Sequence, residues 1–144
     1  MKNITALQFM KERKINMEYN YDDKRRCEII GLSYSPEYFG GCQSFEHLTL
    51  DRLQLLLNEG FIDPEESQNC SPNTMEFKAF LETYPEATVH GYIVSPTRSD
   101  YRATIEGMEY HGEVSKPMLS DFIEMFRYAD DFKFSDEYLY CWFD

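Results

Sequence analysis

The sequence predicts an α+β fold, in which an antiparallel sheet of about five to six strands is packed mainly on one face by about four helices. Three observations indicate this fold class: a meander pattern over residues 87–112, amphipathic helical segments on both sides of it, and a supply of core rings from 11 Phe and 11 Tyr. The length of 144 residues favours one domain, 1–144.

The N-terminal part of the chain predicts a helix followed by a hairpin. A helix capped by Asn3 is predicted to run to about Lys14. Apolar and polar residues then alternate strictly over 15–21, which is typical of a half-buried strand. The returning strand is placed at residues 27–34, where two adjacent isoleucines make the pattern ambiguous. Residues 35–48 have no periodicity and are expected to be irregular.

Two helices are predicted before the meander. The first is capped by Thr49, runs to about Glu59 and is stopped by Gly60; its buried face consists of Leu50, Leu53, Leu56 and Leu57. The second begins either at an Asn73–Glu76 capping box or at Ser71 with Pro72 in the first turn, and ends at Pro85. The residues between these helices form an acidic loop that lacks the glycine and the closing glutamate of a calcium loop.

The meander begins with a β-rich strand over residues 88–95, followed by a turn at Ser95–Arg98. Pairing Ser95 with Asp100 sets Tyr92 opposite Ala103 and puts the apolar residues on one face. The alternation then changes phase at Gly107. A tight turn at 106–107 that starts a second hairpin is the preferred interpretation, and a bulge at Gly107 is the alternative.

The C-terminal part predicts a helix and a strand. Ser115 and Pro117 begin a helix that extends to about Ala129 and has a broad apolar face. Within residues 132–143 the stretch from 138 onwards is apolar on both faces, which favours a strand buried on both sides. The alternative for this segment is an exposed aromatic edge that docks a partner.

Charge and composition limit the classes of function. The net charge is −12, divided into +3 for residues 1–26 and −15 for residues 27–144. Residues 27–144 are acidic enough to repel the phosphates of nucleic acids. Direct binding to DNA or RNA is therefore not expected. No apolar run has the length of a membrane span or of a signal peptide, and a cytoplasmic protein without membrane contact is therefore predicted.

No motif for a cofactor, a metal or a nucleophile is recognised, so no cofactor is predicted. The four cysteines, Cys27, Cys42, Cys70 and Cys141, contain no CxxC pair and are interpreted as thiols of a reducing compartment. The three histidines stand apart from them, which disfavours a zinc site.

The weak catalytic candidates are His111, Arg102 and Glu109. In the two-hairpin interpretation Arg102 lies across from His111, and the three polar groups share one face, where they are able to do acid–base chemistry. Cross-strand charge pairs also stabilise an exposed sheet face without any catalysis, and this purely structural interpretation is preferred.

The leading hypothesis is a non-enzymatic protein-interaction or inhibitory module for a basic partner. The first alternative is a small hydrolase or transferase with acid–base residues on the 87–112 meander. The second is an acidic mimic of DNA. An exposed edge strand would also allow two copies to pair as a homodimer.

Overall fold

The computed structural model of the chain describes residues 17–34 and 41–144. These residues form four helices and five strands. The helices are α1 (Asp23–Ile30), α2 (Leu50–Asn58), α3 (Thr74–Thr83) and α4 (Lys116–Phe126). The strands are β1 (Cys42–Leu48), β2 (Thr88–Val94), β3 (Ala103–His111), β4 (Asp131–Phe134) and β5 (Tyr138–Trp142).

The five strands make one antiparallel sheet in the order β1-β2-β3-β5-β4. All four helices contribute buried side chains to one cluster with alternate residues of the strands, such as Val89, Ile105 and Leu139. The helices therefore cover a single face of the sheet. The predicted α+β class, with helices on one face, is confirmed.

Local capping chemistry fixes three helices where the sequence predicts them. Asn73 accepts from the Glu76 amide while the Glu76 side chain accepts from the Asn73 amide, so the capping box begins α3. Ser115 caps α4 through the Met118 amide. Gly60, at a φ of +79°, follows α2 in the left-handed conformation that glycine adopts without strain.

The predicted N-terminal hairpin is wrong for the residues that the structure describes. Residues 27–30 belong to α1, which Asp22 caps through the Arg25 amide and Gly31 ends at a φ of +87°. Residues 17–22 form no regular element. The alternation over 15–21 was misleading because Tyr19 and Tyr21 pack individually on the ring of Tyr101. The predicted helix from Asn3 to Lys14 lies outside the described residues.

The segment predicted to be irregular contains β1, a strand at the edge of the sheet. Only Phe45 and Leu48 of this strand are buried, and the register of its pairing with β2 shifts between them. The buried residues of this strand therefore do not recur at every second position, and a search for alternating apolar residues does not detect the strand.

The meander differs from its predicted geometry in two ways. Tyr92 pairs with Thr104 and Ile93 with Ala103, one residue away from the predicted register, so Val89, Gly91 and Ile93 face the helices. There is also no turn at 106–107, since β3 is continuous and Glu106 is an extra residue between the Ile105 and Gly107 pairings. The bulge, the alternative interpretation, is therefore correct. The Ser95–Arg98 turn closes as predicted, with the Arg98 amide 3.1 Å from the Ser95 carbonyl oxygen.

The C-terminal segment is a hairpin, β4 and β5, and the prediction that its strand is buried on both faces is wrong. Leu139 and Cys141 are fully buried under α4, whereas Tyr138, Tyr140 and Trp142 are half-buried on the opposite face. Phe122 of α4 stacks on Phe132 of β4 with centroids 4.9 Å apart. The strand is internal, between β3 and β4, and is not an edge.

Both edges of the sheet are protected against pairing with another chain. β1 is interrupted by its register shift and by His47 at a φ of +56°, and β4 is four residues long with an exposed Lys133. The homodimer remains a prediction. Among the helices of the described ranges, none has the length and apolar character needed to cross a bilayer.

Candidate outer face of the sheet

The face of the sheet that points away from the helices carries the polar and aromatic side chains of the strands. We call it the outer face. Antiparallel pairing places Tyr92 of β2 beside Thr104 of β3, and Glu109 and His111 of β3 beside Tyr140 and Tyr138 of β5. Because side chains alternate along a strand, the bulge at Glu106 is what keeps the two halves of β3 in phase on this face.

At the hairpin end, the outer face is closed by polar contacts. The Arg102 guanidinium donates to the Tyr92 hydroxyl at 2.8 Å and to Asp100, and lies 3.7 Å from a Glu66 carboxylate oxygen. The Tyr92 hydroxyl in turn donates to Gln68 at 3.0 Å. The loop between α2 and α3 therefore reaches this end of the face and occupies its polar groups.

A shallow hollow of about 330 Å³ lies within this network. Arg98 binds Asp100 through two nitrogens, at 2.9 and 2.8 Å, and its third nitrogen lies 3.7 Å from the Cys42 sulfur. Both arginines of the hollow are therefore paired with the same carboxylate, Asp100. Their donors serve the fold, since they tie the 95–102 loop to β1 and β3.

The other end of the outer face has the aromatic strip, Tyr138, Tyr140 and Trp142, along β5. The Tyr138 and Tyr140 rings lie nearly parallel, at 6°, with centroids 6.3 Å apart. His90 stacks on Tyr140 at 5.4 Å, and the Trp142 indole nitrogen donates to Glu106 at 3.2 Å. The rings are thus held in place by neighbours on β2 and β3, and each keeps part of its surface exposed.

Carboxylates on the flanking strands give the aromatic strip a negative environment. Burial, followed by the charges of Asp131, Tyr138 and Glu109, raises the pKa of the Tyr140 phenol. Burial and then Glu109 and Asp131 raise the pKa of Tyr138 in the same way. The phenols therefore stay neutral, and the same carboxylates favour any cation that approaches the rings.

One cation already lies at the aromatic strip. The Lys133 ammonium is 5.6 Å from the centroid of the Tyr140 ring and 3.5 Å from a carboxylate oxygen of Asp131. Its side chain is 61% exposed, so the ammonium is held by a ring and a carboxylate at the surface. This is the combination of contacts by which proteins bind cationic side chains.

Beyond the strip, at the turn end of the sheet, further carboxylates surround a second hollow. Glu113, Asp136 and Glu137 line a cavity of about 590 Å³ between the β3–α4 connection and the β4–β5 turn. The two segments are joined by the Gly112 amide to the Glu137 carbonyl and the Val114 amide to the Asp136 carbonyl. The acidic character of the strip therefore continues to this edge of the molecule.

No protein-family model, curated protein or solved structure matches the chain.

The structure brings two of the three weak catalytic candidates together and separates the third. A ring nitrogen of His111 lies 2.5 Å from a Glu109 carboxylate oxygen, and the ring packs on Tyr138. Arg102 directly precedes β3, whereas His111 is the last residue of this strand, so nine positions of extended chain, or about 30 Å, separate them. The predicted geometry, with Arg102 opposite His111, is wrong because it required the turn at 106–107. A catalytic role for the His111–Glu109 pair remains an untested prediction.

In the part of the chain that the structure describes, no metal site is evident, and the thiol of Cys141 is buried. No group of three or more His, Cys, Asp or Glu side chains there is arranged to hold a metal ion. Burial raises the pKa of the Cys141 thiol to about 12, so this thiol stays protonated. His90 itself contacts the Cys141 carbonyl oxygen, at 3.1 Å, through a ring nitrogen.

The preferred interpretation of residues 132–143 missed the aromatic strip, and the alternative, an exposed aromatic edge that docks a partner, came closer to it. Tyr138, Tyr140 and Trp142 alternate with Leu139 and Cys141, and each of the first three carries a polar atom on its ring. Such side chains favour the boundary between a packed surface and water. The prediction of a strand buried on both sides is wrong because the polar ring atoms of these three residues keep one side of the strand partly in contact with water.

Proposed function

We propose that this chain is a non-enzymatic binding module for a basic protein partner, and that it acts in the cytoplasm. The observation that carries the proposal is the aromatic strip flanked by carboxylates on the outer face. Exposed tyrosines and a tryptophan are the side chains that contribute most to protein interfaces, and carboxylates beside them select a positively charged partner.

The distribution of charge supports this proposal. Residues 27–144 have a charge of −15, and four of their seven cations, Lys78, Arg98, Arg102 and Lys133, form ion pairs with carboxylates of the same chain. The positive groups are thus largely used internally while the excess of carboxylates is available. Such a surface accelerates association with a basic partner and repels an acidic one.

The experiment is affinity capture with the full chain from a lysate, eluted with increasing salt, with the captured proteins identified by mass spectrometry. We expect proteins of high isoelectric point, released as the salt concentration rises. The double variant Glu109→Gln/Asp131→Asn should lose them. The matched control Glu86→Gln/Glu124→Gln removes the same charge from exposed positions outside the sheet and should retain them. The proposal is contradicted if the captured proteins stay bound at high salt, or if both double variants lose them equally.

A small hydrolase or transferase is the second candidate, because the close contact between His111 and Glu109 resembles a base with its orienting carboxylate. His111 is 66% exposed, which leaves its ring accessible to a substrate. Screening the chain and its His111→Gln variant against ester and phosphoester substrates tests this candidate. Turnover that the variant lacks supports it, and equal turnover or none excludes this pair. The DNA-mimic hypothesis remains a prediction, and competition with DNA for a DNA-binding enzyme would test it.

A further inference from the structure

We infer that the aromatic strip is a recognition site for arginine side chains presented by an extended basic segment of the partner, and that Lys133 occupies part of this site in the unbound protein. This inference rests on the proposed function and specifies the residues and the ligand chemistry of its binding face. Three observations support it.

The first observation is the resident cation. Lys133 places its ammonium 5.6 Å from the centroid of Tyr140 and 3.5 Å from Asp131, which is a cation–π contact combined with an ion pair. The geometry of the site therefore already accommodates a positive group. Because the Lys133 side chain is 61% exposed, it is able to move away when another cation arrives.

The second observation is the chemistry that surrounds the Tyr138 and Tyr140 rings. Both rings keep part of their surface exposed, and carboxylates lie on both neighbouring strands, Glu109 on β3 and Asp131 on β4. A guanidinium is planar, is weakly hydrated and stacks on rings while it binds a carboxylate through two nitrogens. A lysine ammonium fulfils only part of these requirements, so arginine should bind more tightly.

The third observation is the contrast between the two ends of the outer face. At the hairpin end, Arg102 lies 5.4 Å from the centroid of Tyr92, binds its hydroxyl and pairs with Asp100. There an arginine of this chain already combines with a tyrosine ring and a carboxylate. At the aromatic strip the same kinds of ring and carboxylate are present, but the position beside them is held by a lysine, which forms the weaker complex.

The test measures the affinity of the full chain for three defined peptides of equal length that contain arginine, lysine or glutamate at alternate positions. Trp142, the one tryptophan of the chain, ends the strip and provides a fluorescence signal. We expect the arginine peptide to bind, the lysine peptide to bind about threefold to tenfold more weakly, and the glutamate peptide not to bind.

Two ring variants locate the site. Tyr140→Leu should reduce the affinity for the arginine peptide about threefold to tenfold and remove the difference between arginine and lysine, whereas Tyr140→Phe, which keeps the ring, should preserve both. Tyr128→Leu is the matched control, because Tyr128 is exposed at the end of α4 and is not part of the sheet. Circular dichroism establishes that each variant is folded.

Removing the charge of Lys133 should raise the affinity for the arginine peptide, whereas removing the Tyr140 ring should lower it. Lys133→Met should increase the affinity for the arginine peptide about threefold, since it exposes the Tyr140 ring and the Asp131 carboxylate. Lys116→Met removes the same charge from the N-terminus of α4 and should give a smaller increase. Equal increases in the two variants would show a general charge effect and overturn the assigned role of Lys133.

The remaining outcomes separate the inference from the proposed function. Suppose that the arginine and lysine peptides bind with equal affinity, that salt lowers this affinity and that Tyr140→Leu does not change it. The arginine site is then wrong, and the basic-partner function stands. If no cationic peptide binds, both are wrong. A peptide of residues 1–16, with four Lys/Arg and one Glu, serves as a competitor. If it binds the strip more tightly than the arginine peptide, the occupant is this chain itself and a foreign partner is excluded.

Discussion

The two faces of the sheet use the same strands for different purposes. On the helix-covered face, Leu139 and Cys141 of β5 are fully buried, and Phe122 and Phe126 of α4 pack in the same cluster. On the outer face, Tyr138 and Tyr140 of the same strand remain partly exposed among carboxylates. The free energy of burial is therefore concentrated on one face, which leaves the other available for binding.

The comparison also shows how a charge is treated on each face. Arg26 is fully buried on the helix-covered side, where its guanidinium binds Asp23 and the carbonyl oxygens of Val94 and Arg102 and lies 4.2 Å from the ring centroid of Tyr101. Lys133 makes one carboxylate contact and one ring contact at the surface. The first cation is a part of the fold, and the second is held by two contacts at the surface.

The largest expected effect is the loss of the buried guanidinium. Arg26→Ala should lower the free energy of unfolding by about 3 to 5 kcal/mol, because the buried Asp23 and the carbonyl groups of Val94 and Arg102 lose this donor. Urea denaturation measures the change. Arg25→Ala, which removes the exposed pair with Glu59, is the control and should cost much less. Equal losses would show that the buried site is not special.

A second experiment uses neighbours in β5 that point to opposite faces. Leu139→Ala should lower the free energy of unfolding by about 2 to 5 kcal/mol, because the side chain is fully buried and a cavity remains. Tyr140→Ala should cost less stability but weaken binding of the arginine peptide. Thermal and urea unfolding are combined with the peptide titration. If Leu139→Ala weakens binding more than Tyr140→Ala in the folded protein, the division between the faces is wrong.

A substitution at Gly107 tests how closely β5 and His90 pack against the bulge in β3. A Cβ atom there would lie 1.9 Å from the Cys141 carbonyl oxygen and 2.6 Å from the His90 ring. Gly107→Ala should therefore destabilise the fold by about 1 to 3 kcal/mol through overpacking. Gly41→Ala, where nothing lies within 4 Å of the new atom, should leave the urea midpoint unchanged. A tolerated Gly107→Ala would mean that β5 moves away easily.

The smallest expected effect is a pH dependence that originates at His90. Burial lowers the pKa of His90 below its ordinary value of 6.5, although the Cys141 carbonyl and the charges of Glu109 and Glu46 oppose the shift. The unfolded chain then binds a proton more readily than the folded one. The contribution of the neutral His90 to the free energy of unfolding is complete above about pH 6.5. It declines as the pH falls through the lowered pKa of the folded state.

The variant His90→Gln checks this assignment, because it removes the titrating group and keeps a donor for the Cys141 carbonyl. Urea midpoints measured between pH 7 and pH 4 should fall less steeply for His90→Gln than for the original chain. Parallel curves would assign the acid sensitivity to other groups.

The sequence predicted α2, α3 and α4 well because their beginnings and ends depend on a few local residues. Gly60, the Asn73–Glu76 pair and Ser115 each act within one helical turn, so no distant contact is needed to recognise them. Thr49 precedes α2 as predicted, but its side chain makes no capping hydrogen bond. The α+β class follows from these helices and from the β-rich residues of the meander, and it is confirmed.

What the sequence did not predict, or predicted only as the alternative interpretation, depends on contacts between distant residues. The bulge at Glu106 and the register shift in β1 exist only as relations between paired strands, and each changes the phase of an apolar pattern. The candidate site depended on them, since Arg102 was placed opposite His111 only by the wrong turn. The exposure of the aromatic strip likewise depends on tertiary packing, since Leu139 and Cys141 on the other side of β5 are buried in the same cluster as Phe122 of α4.

The extra residue in β3 has a consequence for how this chain can change over evolutionary time. Elsewhere between positions 103 and 111, deleting one residue would move Met108 and Tyr110 from the core to water or turn Glu109 inward. At Glu106 alone the strand can become shorter by one residue and keep every neighbour on its own side, at the cost of the contacts that Glu106 makes with the Trp142 indole and the Phe143 amide. Variation in length among descendants of this sequence should therefore occur at that single position of the strand.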